Sequence, residues 1–153
     1  MTPLHFETAS EAQTEALGRR AAVLLPHVRL IHVRGPLGAG KTTFVRGLLR
    51  GLGYDGPVKS PTFTLVEPYE VGGLCVYHFD LYRIEDPGEL EFLGLRDYLG
   101  RDGVCVVEWP ERAGAVLPEP DLDVMIRSTN NQGRDVQLQA HSQAGAAALG
   151  AFR

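Results

Sequence analysis

The chain has 153 residues, which is enough for one domain of ordinary size. Apolar residues make up 44% and charged residues 22%, a balance that excludes a chain disordered throughout. The net charge of -4 is unfavourable for a protein that grips nucleic acid by electrostatics alone. There is no apolar run long enough for a membrane span, no secretory signal at the start, and too few cysteines for a disulfide framework. We therefore expect a cytoplasmic protein without membrane association and with two free thiols.

The apolar pattern predicts alternating strands and helices. In chain order the predicted elements are a strand at 4–7, a helix at 11–25 with Ser10 as its N-cap, a strand at 28–33, a Gly-rich loop at 35–40, a helix at 41–52 closed by Gly53, strands at 62–66 and 74–79 joined by the turn at 72–73, an interrupted helix at 87–99, a buried strand at 104–107, and a hairpin of 122–127 with 135–140. Strand–loop–helix units combined with hairpins predict an α/β sheet that is partly parallel and partly antiparallel.

Residues 35–42, GPLGAGKT, fit the pattern G-x-x-x-x-G-K-[ST] at every fixed position. A predicted strand precedes the motif and a predicted helix follows it, which is the context that such a phosphate-binding loop requires. Its backbone N–H groups and the helix N-terminus suit phosphate oxygens, Lys41 supplies a positive charge, and the Thr42 hydroxyl is suited to Mg²⁺. The sequence therefore predicts a P-loop NTPase-type three-layer sandwich with a mixed parallel and antiparallel central sheet.

Two carboxylates follow predicted apolar strands: Asp80 ends LCVYHFD, and Glu108 ends VCVVE. Carboxylates at the edge of the sheet beside the phosphate loop are expected to hold Mg²⁺ or to orient the attacking water. The pattern leaves open which acid binds Mg²⁺ and which orients the water. Either acid is also compatible with a helix cap or a salt bridge.

Other candidate residues have simpler interpretations as well. Thr62 and Thr64 lie where switch segments sense the γ-phosphate, but they also suit an ordinary strand. Trp109 is the only tryptophan, and a lone tryptophan is typical of a core or subunit contact, although its neighbour Glu108 predicts a place near the nucleotide. The five histidines show no metal-ligand spacing, so we interpret them as structural or exposed.

Several blocks of the sequence, in order, resemble the bacterial TsaE (YjeE) family. The blocks are GPLGAGKTTFVRGLL at 35–49, KSPTFTLVEPY at 59–69, YHFDLYR at 77–83, ELEFLGLRDY at 89–98 and VCVVEWPER at 104–112. These proteins are small P-loop ATPases needed to form N6-threonylcarbamoyladenosine (t6A) at position 37 of tRNAs that read codons starting with A. A guanine-reading N-K-x-D element and a lid of clustered arginines, which GTPases and nucleotide kinases carry, are not found in the sequence.

The resemblance implies a set of roles for named positions. The implied ATP-binding residues are Gly38, Ala39, Gly40, Lys41, Thr42 and Thr43 in the loop, Thr62 and Thr64 in a switch segment, Trp109 beside the nucleotide, and Glu11, Gly133 and Arg134 around the base. The implied catalytic residues are Asp80, Lys41 and Glu108, and the implied Mg²⁺ ligands are Thr42 and Glu108. One departure is Pro36, where the family more often has Asp or Asn, and proline removes a backbone N–H there.

The resemblance also implies partners. The family's ATPase works with a heterodimer of TsaD, the transferase, and TsaB, and it meets tRNA only through that complex. We expect hydrolysis to be slow without the partners. We take residues 1–143 as a single P-loop ATPase domain and 144–153 as an Ala/Gly-rich C-terminal tail. The alternatives are a small-molecule kinase, which would pass the γ-phosphate to a metabolite, and a nucleotide-dependent binding module with negligible hydrolysis.

Overall fold

The computed structural model of the protein describes residues 2–61 and 64–152. The strands are β1 (Leu4–Thr8), β2 (Leu30–Arg34), β3 (Val66–Val71), β4 (Leu74–Asp80), β5 (Val104–Glu108), β6 (Leu122–Ser128) and β7 (Arg134–Ala140). The α-helices are α1 (Glu11–Ala21), α2 (Lys41–Leu52), α3 (Gly88–Phe92), α4 (Leu95–Leu99) and α5 (Gln143–Phe152), with 3₁₀ helices over Ala22–His27 and Pro110–Val116. Within the described residues, no helix has both the length and the apolar character that a membrane crossing needs.

The strands form one seven-stranded sheet in the order β1-β7-β6-β2-β5-β4-β3. The four central strands, β6, β2, β5 and β4, run parallel, while β1 with β7, β7 with β6, and β4 with β3 pair antiparallel. The prediction of a mixed sheet is therefore confirmed. Because β2, β4 and β5 are parallel, the segments that follow them emerge at the same edge of the sheet.

Helices cover both faces of the sheet, which confirms the three-layer arrangement. On one face α1 and α2 bury Leu17 and Phe44 against Val33 and Val106. On the other face the short helices α3 and α4 pack onto the sheet in a second apolar cluster around Phe79. Alternation along each strand sends successive side chains to the two clusters, which explains why the central strands have almost continuous apolar sequences.

The first two predicted helices differ in how well their ends were predicted. Helix α2 has the predicted bounds, and it is closed by Gly53 with a φ of 103°. Ser10 caps α1 as predicted, because its side chain accepts a hydrogen bond from the backbone N–H of Gln13. The prediction that α1 continues to residue 25 is wrong, since the chain changes to a 3₁₀ helix after Ala21. Pro26 has no N–H with which to continue an α-helix.

The predicted strand at 62–66 needs correction, because residues 64–65 form a turn and the strand that pairs with β4 is Val66–Val71. Residues 62–63 of that prediction lie outside the described residues. The residue before it, Leu65, has a φ of 67°, and its N–H donates to the Pro61 carbonyl, so the chain turns here. The β-branched composition favoured a strand that this turn prevents. The turn at residues 72–73 is where it was predicted, and both glycines have positive φ.

Residues 144–153 were expected to form a tail, and this expectation needs correction. Residues Gln143–Phe152 form helix α5, which buries Leu149 and Phe152 in the same cluster as α1 and α2. The Phe152 ring meets the Phe6 ring edge-on at 5.9 Å between centroids. Alanine-rich sequence is a good helix former, and the two large apolar side chains anchor this helix to the domain.

Candidate active site

The loop between β2 and α2 has the conformation that its glycines allow. Gly40 precedes the first residue of α2 with a φ of 99°, a backbone conformation that side chains disfavour. Gly35 lies against β6, where a Cβ atom would come within 2.3 Å of the Ile126 carbonyl oxygen. The loop is therefore held close to the sheet and leads directly into the N-terminus of α2.

Lys41, the first residue of α2, is almost fully buried with 5% of its surface exposed. Its ammonium donates hydrogen bonds of 2.8 Å to the carbonyls of Gly35 and Pro36. Burial lowers the pKa of Lys41, and the negative charges of Glu108, Asp80 and Glu111 act in the opposite direction. No ion pair joins Lys41 to a carboxylate within the described residues, so its positive charge faces the loop.

Asp80 and Glu108 are register neighbours at the carboxyl ends of the adjacent parallel strands β4 and β5. Glu108 is also aligned with Val33, two residues before the loop begins. Both carboxylates are buried, with 7% of Asp80 and 2% of Glu108 exposed. The two carboxylates therefore lie on the same face of the sheet, at the edge where the phosphate loop lies.

Each acid has its own hydrogen-bond partners. The Thr42 hydroxyl donates to Glu108 at 3.0 Å from Oε2 and 3.2 Å from Oε1. The Ser60 hydroxyl donates to Asp80 Oδ2 at 2.8 Å, and the backbone N–H of Tyr82 donates to Asp80 Oδ1 at 3.0 Å. Glu108 is therefore tied to the start of α2, whereas Asp80 is tied to the chain segments on the other side of the site.

Trp109 turns sharply after Glu108, with a φ of 57° that ends the extended strand. Its ring centre lies 4.4 Å from Lys41 Nζ and 5.0 Å from the Tyr82 ring centre. The Arg112 guanidinium lies 5.8 Å from the same ring. The half-buried tryptophan therefore forms a wall of the site and also packs against the second apolar cluster.

Arg134, the first residue of β7, connects the last hairpin to the phosphate loop. Its Nε donates to the Ala39 carbonyl at 2.7 Å, and its Nη2 donates to the Gly38 carbonyl at 3.3 Å. A third hydrogen bond joins Nη1 to the Gly133 carbonyl at 2.8 Å. The guanidinium thus braces the middle of the loop from the side opposite to the carboxylates.

These groups surround an open cavity of about 650 Å³. Its lining residues are Glu11, Thr14, Leu37, Gly38, Gly40, Lys41, Thr42, Thr43, Ser60, Asp80, Tyr82, Arg83, Glu108, Trp109, Gln132 and Arg134. One wall carries both carboxylates, the floor is the loop, and the opposite wall combines the start of α1 with the β6–β7 turn. A cavity of this size and polarity fits a small charged ligand.

Comparison of the chain with known proteins identifies the family to which it is similar. The model of the family described as "Threonylcarbamoyl adenosine biosynthesis protein TsaE" matches residues 8–136. The chain belongs to the TsaE family. It is 48% identical over 123 residues to the tRNA threonylcarbamoyladenosine biosynthesis protein TsaE of Haemophilus influenzae, covering 80% of this chain and 77% of that one. It is 38% identical over 140 residues to the protein of the same name from Bacillus subtilis, covering 92% and 87%.

A solved structure is similar over nearly the whole chain. The crystal structure of YdiB from Bacillus subtilis superposes with a TM-score of 0.84 at 30% identity, covering 99% of this chain and 94% of that one. The resemblance to the TsaE family and the predicted fold are both confirmed by these matches.

Most site residues that the TsaE resemblance implied line this cavity. They are Glu11, Gly38, Gly40, Lys41, Thr42, Thr43, Asp80, Glu108, Trp109 and Arg134. Three implied residues are not among its lining. Ala39 is fully buried, Gly133 is buried with its carbonyl accepting from Arg134, and Thr64 is exposed and donates to Glu67 at 3.4 Å. Thr62 lies outside the described residues.

Sequence reasoning missed several residues of the site. Thr14, Leu37, Tyr82 and Gln132 line the cavity and were not singled out, and Tyr82 lies two residues after Asp80. His78 was interpreted as structural or exposed without a link to the site; it is fully buried, and its Nε2 lies 2.6 Å from Glu108 Oε2. The strand period of two was the signal for His78, since residues 78 and 80 share a face of β4.

Proposed function

We propose that this TsaE-family protein is a Mg²⁺-dependent ATPase that acts in the formation of the threonylcarbamoyl group on adenosine 37 of tRNA. The observation that carries the proposal is the convergence of Lys41, Thr42, Asp80 and Glu108 on one cavity at the end of the phosphate loop. The family and the relatives described above are named for threonylcarbamoyladenosine biosynthesis, which supports this pathway.

The loop is suited to the phosphates of ATP. The backbone N–H groups at the N-terminus of α2 carry a partial positive charge, and Lys41 adds a full one. The contacts of Lys41 with the Gly35 and Pro36 carbonyls are ones that phosphate oxygens would replace. Pro36 lacks an N–H, and its carbonyl accepts hydrogen bonds from Lys41 at 2.8 Å and from the Ala39 N–H at 3.1 Å. We therefore assign phosphate binding to the other amides of the loop, those of Gly38 and of residues 40–43.

The donor set at the start of α2 fits Mg²⁺. The Thr42 hydroxyl and the Glu108 carboxylate are hydrogen-bonded to each other, and both present oxygen atoms, which are the ligands that Mg²⁺ prefers. When bound there, the ion would neutralise charge on the β- and γ-phosphates. The two residues are already at contact distance, so little rearrangement is needed to bring both to one ion.

Asp80 is suited to the attacking water. Ser60 and the Tyr82 N–H each hold one of its oxygens, which fixes the carboxylate plane at the cavity wall. In this position Asp80 accepts a proton from water or orients it while the water oxygen attacks the γ-phosphorus. ADP and inorganic phosphate are then the products. Glu108 is the proposed Mg²⁺ ligand together with Thr42, so we assign the attacking water to Asp80.

We propose that TsaD and TsaB homologues complete the site and that tRNA is reached only through them. Arg83 lines the cavity and is the internal candidate for an arginine that stabilises the transferring phosphoryl group. A group supplied by a partner can accelerate phosphoryl transfer by roughly 10³ to 10⁵. The net charge of -4 suits docking on proteins better than direct binding of tRNA.

The test is phosphate release from Mg-ATP by the wild type and by Asp80→Ala, with and without the TsaB–TsaD heterodimer. Asp102→Ala is the matched control, because Asp102 is exposed and precedes the opposite end of β5. We expect strong stimulation by the heterodimer in the wild type and control, and loss of turnover in Asp80→Ala.

Other outcomes identify the alternatives. A phosphorylated metabolite as product, with no free phosphate, would indicate a kinase. Nucleotide binding without turnover, with or without the heterodimer, would indicate a binding module. A rate that the heterodimer leaves unchanged would contradict the proposed partnership.

A further inference from the structure

His78 is a buried polar residue that the proposed hydrolysis does not use directly. It lies in β4, has 0% of its surface exposed, and is aligned in register with Val106 of β5. Its Nε2 lies 2.6 Å from Glu108 Oε2, and Glu108 is itself 2% exposed. A carboxylate that serves as a Mg²⁺ ligand only accepts hydrogen bonds, so we assign the hydrogen of this contact to Nε2.

Packing does not explain a histidine at this position. The residues two before it in β4 and opposite it in β5, Val76 and Val106, are apolar and fully buried. His78 Nδ1 is buried and has no hydrogen-bond partner among residues 2–61 and 64–152. A buried polar atom without a partner is costly, and an aliphatic side chain would avoid that cost. The contact with Glu108 is therefore what the imidazole supplies.

The two contacts of Glu108 come from different kinds of elements. Thr42 belongs to the first turn of α2, directly after the phosphate loop, whereas His78 belongs to a central strand. Thr42 is itself a proposed ligand of Mg²⁺, so its hydroxyl oxygen must serve the ion as well as Glu108. The hydrogen bond from His78 therefore anchors the carboxylate to the sheet.

We propose that His78 is a positioning residue that holds Glu108 Oε2, so that the carboxylate is oriented for Mg²⁺ before the nucleotide arrives. This inference rests on the proposed Mg-ATP function and deepens it. Groups that orient metal ligands affect metal affinity by about 10- to 100-fold when removed. His78 therefore acts through Glu108 and touches neither the ion nor the phosphates.

The test is a titration with Mg²⁺ of the binding of a fluorescent, non-hydrolysable ATP analogue. His78→Gln retains an amide donor near the position of Nε2, while His78→Asn is polar but too short to reach Glu108. We expect His78→Asn to require about 10-fold more Mg²⁺ for half-maximal binding, and His78→Gln to stay within about threefold of the wild type. Binding without Mg²⁺ is expected to be equal in all three.

A double-mutant cycle separates positioning from a merely structural effect. Glu108→Gln should raise the Mg²⁺ requirement, and His78→Asn should add nothing further in that background. An unchanged Mg²⁺ requirement in His78→Asn, an equal shift in His78→Gln, or additive effects in the double variant would overturn the inference alone. A wild type that binds no nucleotide would overturn the proposed function and the inference with it. Thermal melting of each variant identifies loss of folding, and the Gln variant then decides the question.

Discussion

The Lys41 ammonium lies 4.4 Å from the centre of the Trp109 ring while it donates to the carbonyls of Gly35 and Pro36. The lysine is thus held by the loop and by an aromatic face at once. Phosphate oxygens that bind in the loop would compete for the same ammonium. The only tryptophan of the chain is therefore placed to report what happens to this lysine.

We expect ATP to change the tryptophan fluorescence of the wild type, because withdrawal of the ammonium changes the surroundings of the indole. Lys41→Met should remove that response and weaken ATP binding by about 100-fold or more, since a charge-assisted contact to phosphate is lost. Lys59→Met is the matched control, because Lys59 is the only other lysine and is exposed. A normal response in Lys41→Met would contradict this arrangement.

Arg134 provides a second prediction, because it donates hydrogen bonds to the loop carbonyls of Gly38 and Ala39. Arg134→Met should weaken ATP binding by about 10-fold, since hydrogen bonds from charged donors contribute about 1.5–3 kcal/mol and part of this organises the loop. The effect is expected in KM, with kcat at saturating ATP near that of the wild type. Arg127→Met, on the exposed end of β6, should leave both constants unchanged.

The sequence predicted the elements around the phosphate loop better than those beyond it. The motif at 35–42 combines glycines, a lysine and a helix start, and each of these has one local physical meaning, so α2 was predicted to the residue. The position of β3 depended on a turn at Leu65, a residue type that rarely adopts positive φ, and composition does not reveal it. The role of α5 depended on Phe6 of a distant strand, which only the fold brings near.

The candidate site shows the same limit. Asp80 and Glu108 could be predicted because each ends an apolar strand. Their alignment with each other required the order of the strands in the sheet, and the contact of His78 with Glu108 required that register as well. Arg134 was predicted near the base, and that placement stays a prediction; its hydrogen bonds to carbonyls of the loop depend on the β6–β7 hairpin reaching the loop in the fold.

A third prediction concerns the crossing of α1 and α2, where glycine faces backbone. A Cβ atom on Gly47 would lie 2.2 Å from the Glu15 carbonyl oxygen, which forces the helices apart. Gly47→Ala should lower the free energy of unfolding by about 1–3 kcal/mol through overpacking. Gly150→Ala is the matched control, since a Cβ there meets nothing within 4 Å, and it should stabilise helix α5 slightly. Chemical denaturation of both variants measures the difference, and equal behaviour would contradict the close helix contact.

The last prediction concerns pH, through His32 of β2. Burial lowers the pKa of His32 to about 4 from the ordinary 6.5, against the favourable charge of Asp123, while Arg34 and His141 lower it further. Its Nε2 is buried without a hydrogen-bond partner among the described residues. Between pH 6.5 and about 4, His32 is therefore protonated in the unfolded chain and neutral in the folded chain. The free energy of unfolding consequently falls as the pH decreases from 6.5 towards 4.

The free energy of unfolding is expected to fall by on the order of 2 kcal/mol as the pH decreases through this range. The decrease should be smaller in His32→Gln, because glutamine does not titrate. Asp121 does not interfere with this comparison. Burial alone would raise the pKa of Asp121, but hydrogen bonds from Ser142 and from two backbone N–H groups lower it below the ordinary 3.8. The stability that Asp121 contributes is therefore lost only at more acidic pH. Denaturant titrations of both proteins at about pH 7.5 and about pH 5 give the comparison. An equal loss in the two proteins would mean that the histidine is not the group responsible, because the remaining groups that titrate in this range are common to both.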